Sequence, residues 1–306
     1  MRFLIIGASG FAGNHIFNYI KAIGHEALGT QNQSNKPGLI TFDLTKHRIK
    51  ERFGPLFFKT DKKVFVVICA ALSQIDRCLV EKDISYKINV EKTIQLVNDI
   101  KQFNAIPVFL STSCVYNGDL GYYNEESEHD PINEYGRQKE AVEQFLLDNV
   151  PAAFILRLDK IVSDDIGGNH IFADWYQKIQ ENQPIICIEQ LFSPTFVKDI
   201  AGSIVKGCQC NLSGAYNVAN PEFFTRAELV KQFMSAVGKK VDILLKSHEE
   251  FNFADFRIKN SYLDASKFIK ETGIRFTSMR EVFNSFISKK NRTFTENNDA
   301  VGSLRS

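Results

Sequence analysis

No window of this chain approaches the ~20 consecutive apolar residues that a bilayer-crossing helix needs, so no membrane span is expected. The first residues also lack the basic segment, long apolar core and small-residue cleavage site of a secretory leader, because Gly7 interrupts the opening apolar run. Excess charge of either sign is missing: 37 Lys and Arg stand against 36 Asp and Glu, for a formal net charge of +1. That balance gives no global field for nucleic acid or an anionic membrane, so a charged ligand must be handled by local groups. Clustered cysteine is absent as well. Cys69, Cys78, Cys114 and Cys187 are scattered, and nothing completes a zinc pattern around the one close pair, Cys208 and Cys210. None of the acidic clusters has metal-ligand spacing, and no metal ligand is assigned. Reduced, mostly buried thiols in a cytoplasmic protein are the expectation.

What is present starts at the first residue. Residues 3–6 are a short apolar run suited to a strand buried on both faces. Gly7, Gly10 and Gly13 then punctuate a turn, and residues 14–23 continue at helical spacing, with Ile16, Phe17, Ile20 and Ile23 apolar. Strand, glycine turn and helix in that order are the context of a dinucleotide-binding turn. Gly7 permits the tight turn, Gly10 lets the backbone approach a phosphate, and Gly13 lets the helix sit close on the strand. The helix start offers unpaired N–H groups and partial positive charge to a pyrophosphate.

The same rhythm continues. Strands are expected at residues 25–29, 39–42, 64–71, 106–110 and 152–156, with helices at 46–53, 77–103 (broken near Asp83) and 134–148. This alternation predicts an α/β fold, a Rossmann-type doubly wound parallel sheet with a smaller C-terminal lobe. The 306 residues, 44% of them hydrophobic, suffice for one large or two unequal domains. Residues 1–157 are expected to form the dinucleotide-binding domain, with 190–213 returning to it, and 158–290 the substrate-binding lobe. Polar, unpatterned residues 291–306 read as a disordered tail. The acidic loop carrying Glu125, Glu126, Glu128 and Asp130 reads as solvated surface without a catalytic part.

Ligands bind such sheets beyond the carboxyl ends of the strands. That rule joins the glycine turn, Asp43, Ala70, Ala71 and the hydroxyl run Ser111, Thr112 and Ser113. Tyr135 and Lys139 lie four apart at the start of a helix and share a face. A phenol works as a proton donor only if something stabilises its anion, which an ammonium one turn on can do. With Thr112 orienting a carbonyl oxygen, the three make a proton-relay set for carbonyl reduction or alcohol oxidation. Either pair alone is common by chance on helices and turns; their order after a cofactor turn gives them meaning.

These residues carry a resemblance. The chain resembles the extended short-chain dehydrogenases/reductases, most of all the dTDP-4-dehydrorhamnose reductase family. The segments are Gly-Ala-Ser-Gly-Phe-Ala-Gly (7–13), Cys-Ala-Ala-Leu-Ser-Gln-Ile-Asp (69–76), Ile-Asn-Val-Glu-Lys-Thr (88–93), Phe-Leu-Ser-Thr-Ser-Cys-Val-Tyr-Asn-Gly (109–118) and Tyr-Gly-Arg-Gln-Lys (135–139). Later segments follow in family order, so the likeness covers about residues 1–290. It implies reduction of a nucleotide-linked 4-keto-6-deoxy sugar, with Tyr135 as proton donor, Thr112 and Lys139 beside it, and Asn89 supporting a water and the lysine. Cofactor contacts are expected from Gly7, Ser9, Gly10, Phe11, Ala12, Gly13, Thr30, Asp43, Leu44, Cys69, Ala70 and Ala71, besides Tyr135 and Lys139. Ser73, Ser113, Arg157, Lys160 and Asn169 are the candidate substrate contacts. Three positions depart from the family pattern: Ser113 replaces an acid, Lys160 a tryptophan, and Asp159 adds charge. Together they point to a different sugar, a different carrier or a different role.

An acid at the end of the second strand would favour NAD. That end reads Gly29-Thr30-Gln31-Asn32-Gln33, with Lys36 able to reach a 2′-phosphate, so NADP (as NADPH) is favoured over NAD. Two other functions compete. One is a nucleotide-sugar epimerase or dehydratase of the same fold; the missing carboxylate at 113 and 114 counts against dehydration. The other is a non-catalytic cofactor-binding partner, like the regulatory subunit of methionine adenosyltransferase. A homodimer is common in this fold group, though no residue here marks an interface.

Overall fold

The computed structural model describes residues 1–302; residues 55, 56 and 292–302 are described by their backbone alone. Along the chain, β1 (Arg2–Ile6) leads through the glycine turn into α1 (Phe11–Ala22), followed by β2 (Glu26–Gln31) and β3 (Ile40–Thr41). Two short helices, α2 (Ile49–Arg52) and α3 (Gly54–Phe58), precede β4 (Val64–Ile68). The expected long helix is four pieces: α4 (Ile75–Val80), α5 (Lys82–Tyr86), a π-helical turn (Lys87–Lys92) and α6 (Thr93–Gln102). Its break falls at Glu81, whose φ of −107° and ψ of 45° leave the helical region. Then come β5 (Ile106–Thr112), α7 (Glu134–Asn149) and β6 (Phe154–Leu158).

Beyond β6 lie β7 (Ile161–Val162), α8 (Ile171–Gln180), β8 (Ile185–Ile188), β9 (Leu191–Phe192), β10 (Thr195–Phe196) and α9 (Val197–Gln209). The chain closes with β11 (Gly214–Asn217), β12 (Phe224–Thr225), α10 (Arg226–Val237), β13 (Ile243–Lys246), α11 (Ser266–Thr272) and α12 (Met279–Gly302). Residues 291–302, expected to be a structureless tail, thus continue a helix, and 303–306 lie outside the described residues. Among the described residues no helix is long and apolar enough to cross a membrane.

Seven strands form one sheet in the order β11-β6-β5-β4-β1-β2-β3, and every pairing in it is parallel. The sheet reaches further than the expected return segment, because Gly214 to Asn217 pair with Phe154 to Arg157. Side chains alternate between two cores, as a strand period of two requires. Phe3, Ile5, Phe65 and Val67 pack with Ile16, Ile200 and Ile204. Leu4, Ile6, Val66 and Ile68 pack on the other face with Leu96, Ile100, Val142 and Leu146. Helices on both faces explain why the strand sequences are continuously apolar. The strand order reverses between β1 and β4, so the crevice of the sheet opens between the glycine turn and the segment after β4.

A separate aromatic core builds the second lobe, with Phe172, Trp175, Phe192, Phe233, Phe283 and Phe286 at its centre. Three two-stranded sheets edge it: β7 with β10, β9 with β12 and β8 with β13.

Candidate active site

The glycine turn is built as a cradle. Gly7 takes a φ of +89° and its N–H donates to Thr30 Oγ1 at 2.9 Å. A Cβ on Gly13 would stand 2.2 Å from the Gly7 carbonyl oxygen, so only glycine lets α1 start this close to β1. Gly10 N donates to Gly7 O, and the first helical bond runs from Asn14 N to Gly10 O, at 3.1 and 2.9 Å. No side chain caps α1. The N–H groups of Phe11, Ala12 and Gly13 therefore have no partner within the helix, which is the donor set an anion needs. Lys36 Nζ donates to Ser9 O at 3.0 Å, placing an ammonium over this turn.

Thr30 stands differently from the expectation. β2 runs on to Gln31, so Thr30 lies inside the strand, is 1% exposed, and spends its hydroxyl on the turn. Asp43 Oδ1 accepts from the Thr45 N–H and hydroxyl at 2.9 and 2.6 Å, a local turn, while Leu44 is buried beneath it. Across the crevice, Cys69 N donates to Ile6 O, and the backbone of Ala70 passes against Gly7. Burial pushes the Cys69 thiol up to about 12, which keeps it protonated.

Thr112 ends β5, and its Oγ1 accepts from Cys114 N at 3.2 Å. Tyr135 faces it from the first turn of α7, and both line one cleft of about 760 Å³ that Phe11 also reaches. This meeting depends on Gly136, whose missing Cβ would lie 2.0 Å from the Cys114 carbonyl oxygen. The helix start is held by two buried carbonyl or carboxylate acceptors: Asn133 Oδ1 takes Gly136 N, and Asp255 Oδ2 takes Glu134 N, each at 2.8 Å. Burial drives the Tyr135 phenol above its ordinary value, so it is a proton donor at neutral pH. Burial also lowers the Lys139 ammonium to about 8. Lys139 Nζ donates to Leu110 O at 2.7 Å and stands 5.8 Å from the centre of the Tyr135 ring.

Asn89 sits in the π-helical turn, a form often found at functional sites. Its carboxamide donates to Leu72 O and Gln138 Oε1 and accepts from Leu72 N, all at 2.8 Å. It therefore bonds Gln138, the neighbour of Lys139, rather than the lysine itself, and ties the segment after β4 to α7. Gln138 in turn donates to Ser85 Oγ and Glu134 Oε1. Neither Gln138 nor Ser85 carries a sequence signal, since their partners are 49 and 53 residues away.

Four of the five substrate candidates, Ser73, Ser113, Lys160 and Asn169, line the cleft. Arg157 does not. Its guanidinium is 2% exposed and bonds Glu143 Oε2 at 2.8 and 2.9 Å and the Tyr116 hydroxyl at 2.8 Å. It faces α7 because alternation along β6 puts residue 157 on the same face as Ile155, which packs on Val142 and Leu146, whereas Asp159 lies beyond the last residue of the strand. Glu125 of the acidic loop accepts from Asn217 N, so that residue anchors the loop to the sheet edge. Cleft residues missed by sequence reading include Arg226, Arg257 and Phe253. Arg257 NH2 reaches Asp76 Oδ2 at 2.7 Å, and Asp76 Oδ1 takes the N–H groups of Ala254 and Asp255, latching residues 254–257 to α4. Among the described residues no group of His, Cys, Asp or Glu could hold a metal ion.

Comparison with known proteins agrees with this geometry. Residues 1–292 match the family described as RmlD substrate binding domain. The spore coat polysaccharide biosynthesis protein SpsK of Bacillus subtilis is 26% identical over 94% of this chain and 98% of its own length. The methionine adenosyltransferase 2 subunit beta of Xenopus tropicalis is 24% identical over 88% of this chain and 82% of its own. Among solved structures, dTDP-4-dehydrorhamnose reductase from Bacillus anthracis in complex with NADP has a TM-score of 0.80 and 25% identity, covering 94% of this chain and 99% of that one. The match spans both the parallel sheet with its glycine turn and the lobe beyond it, and the chain belongs to the RmlD substrate binding domain family.

Proposed function

We propose that this chain is an NAD(P)H-dependent reductase of a nucleotide-linked 4-keto-6-deoxy sugar. The observation that carries the reading is that Thr112, Tyr135 and Phe11 of the glycine turn line one cleft at the carboxyl ends of the strands. The residues fit a dinucleotide: three helix-end N–H groups, a backbone approach that excludes a Cβ at Gly13, and Ala70 and Ala71 opposite. A nicotinamide cofactor bound there supplies hydride to the carbonyl carbon. Tyr135 gives its proton to the carbonyl oxygen, Thr112 orients that oxygen with its hydroxyl, and the Lys139 ammonium stabilises the phenolate left behind. Asn89 positions the helix through Gln138. The reductase found with NADP and the polysaccharide biosynthesis relative support the reading.

NADPH is the preferred donor in this reading. The residue ending β2, Gln31, binds Ser34, Lys36 and Leu39 and offers no carboxylate to a ribose diol. Lys36, whose ammonium donates to Ser9 O, is the cation this reading assigns to a 2′-phosphate. Lys36→Ala is expected to weaken NADPH binding about tenfold and leave NADH binding unchanged, as loss of one charge-assisted bond would. Fluorescence titration with the two cofactors measures it, and equal weakening of both would remove the 2′-phosphate role.

The test of function is loss of reduced nicotinamide with a panel of nucleotide-linked 4-keto-6-deoxy sugars. Oxidation with one of them is the expected result. Tight cofactor binding without oxidation across the panel would favour the second reading, a cofactor-binding partner protein, which the likeness to methionine adenosyltransferase subunits supports.

A further inference from the structure

One carboxylate in the cleft has no part in the proton relay. Asp159 follows β6 and lines the cleft beside Ser113. Its Oδ1 accepts from Ser113 Oγ at 3.1 Å and its Oδ2 from Ser193 N at 2.7 Å. Among the described residues it forms no ion pair, and burial raises it to about 7. Asp159 is only partly exposed and its bonded partners are neutral donors, so its charge is costly unless a ligand completes its shell.

The surrounding wall is incompletely bonded in the same way. Ser261, 3% exposed, brings its hydroxyl against Asp159 without a well-formed hydrogen bond, and the Arg226 Nε is buried without a partner. Arg226 spends one terminal nitrogen on Gln190 Oε1 at 2.7 Å. Because the Ser113 hydroxyl donates to Asp159, Ser113 presents lone pairs to the cleft. The wall therefore offers two adjacent acceptors, one hydroxyl of either sense and one guanidinium donor. That pattern fits neighbouring hydroxyl groups on a sugar ring, each of which donates and accepts.

We propose that Asp159, supported by Ser113, binds ring hydroxyls beside the reacting carbon and so determines which sugar the cleft accepts. This rests on the nucleotide-sugar reading above. Ser113 is the residue after Thr112, which places these acceptors next to the carbonyl position. A site built around a sugar hydroxyl rejects the analogue that lacks it far more strongly than an apolar pocket rejects an extra methylene.

The charged form is the better acceptor, so recognition should follow its ionisation. The groups facing Asp159 are Lys160 from its own segment, Arg226 from α10, Arg257 from the 254–257 strap, and Cys114 and Tyr135 from the opposite wall. Burial raises Asp159 into the window between pH 6 and 8, whereas it pushes the Cys114 thiol and the Tyr135 phenol up and away from it. The sign also sets stability. A carboxyl raised by folding stabilises most when protonated, and that contribution is lost as pH rises through about 7. Asp159→Asn should therefore gain in melting temperature over the wild type on going from pH 5 to pH 8.

The test is calorimetric binding of dTDP, dTDP-glucose, UDP and UDP-glucose to the NADP-loaded protein at pH 6 and pH 8, for wild type, Asp159→Asn and Ser113→Ala. The expected result is that the glucose-bearing probe outbinds its bare nucleotide by about tenfold or more in the wild type at pH 8. That advantage should shrink at pH 6, be nearly lost in Asp159→Asn at both pH values, and be reduced in Ser113→Ala. Affinity for the bare nucleotide should stay within about twofold throughout. An undiminished glucose advantage in both variants, with the wild-type pH dependence, overturns the proposal alone. Failure of all four probes to bind overturns the nucleotide-sugar reading, and this assignment with it.

Discussion

Tyr135→Phe is expected to lower kcat by about 10²–10⁴-fold, the range for one positioned acid, while cofactor affinity stays nearly unchanged. The phenol lines the cleft, burial keeps it protonated, and its hydroxyl is the one group that the substitution removes. Stopped-flow single turnovers with NADPH and equilibrium titration separate the two quantities. A variant with near-wild-type turnover would show that another group protonates the substrate oxygen. The pH profile adds a sign. Lys139 is lowered from 10.5 to about 8, so its ammonium is lost above that pH and kcat/KM should fall there. In Lys139→Met that limb should vanish along with most of the rate, because no ammonium remains to titrate.

The largest effect on stability should come from a residue that the sequence pattern placed in the substrate site. Arg157 and Glu143 form a buried pair at 2.8 Å, with side-chain exposures of 3% and 0%, joining β6 to α7. Arg157→Leu strands the Glu143 carboxylate without its cation and should cost about 3–5 kcal/mol, the usual result of breaking a buried pair on one side. Urea unfolding measures it. Removing both charges, in Arg157→Leu with Glu143→Leu, should recover much of the loss, because two apolar side chains need no hydration. A loss under about 1 kcal/mol would mean that water reaches the pair.

How much of this was legible depends on the range of the interaction. The β1–turn–α1 unit was readable because its signals are local: an apolar run, three glycines at fixed spacing and a helical repeat. Tyr135 and Lys139 were readable for the same reason, being one helical turn apart. The break at Glu81 was expected within two residues, but the π-helical turn that carries Asn89 has no propensity signal, since packing against Leu72 and Gln138 sets it. Thr30 was misplaced because strand ends depend on pairing with Ile40, which propensity does not see. Residues 291–302 lacked an apolar stripe and read as a tail, while their backbone continues α12.

From its residues alone this chain is determined to be an alternating α/β protein with a dinucleotide-type turn and with Tyr135 and Lys139 one helical turn apart, since periodicity and short spacings survive in one dimension. Tertiary structure alone decided that Asp159, just past β6, meets Ser113, just past β5 and 46 residues away, at 3.1 Å. It likewise turned Arg157 to α7 and latched residues 254–257 to Asp76 and the start of the Tyr135 helix. The physical reason is the same in each case. Parallel pairing brings distant strand ends side by side, and whether a residue lies inside the strand, as Arg157 does, or just past its end, as Asp159 does, chooses between the buried core and the ligand cleft.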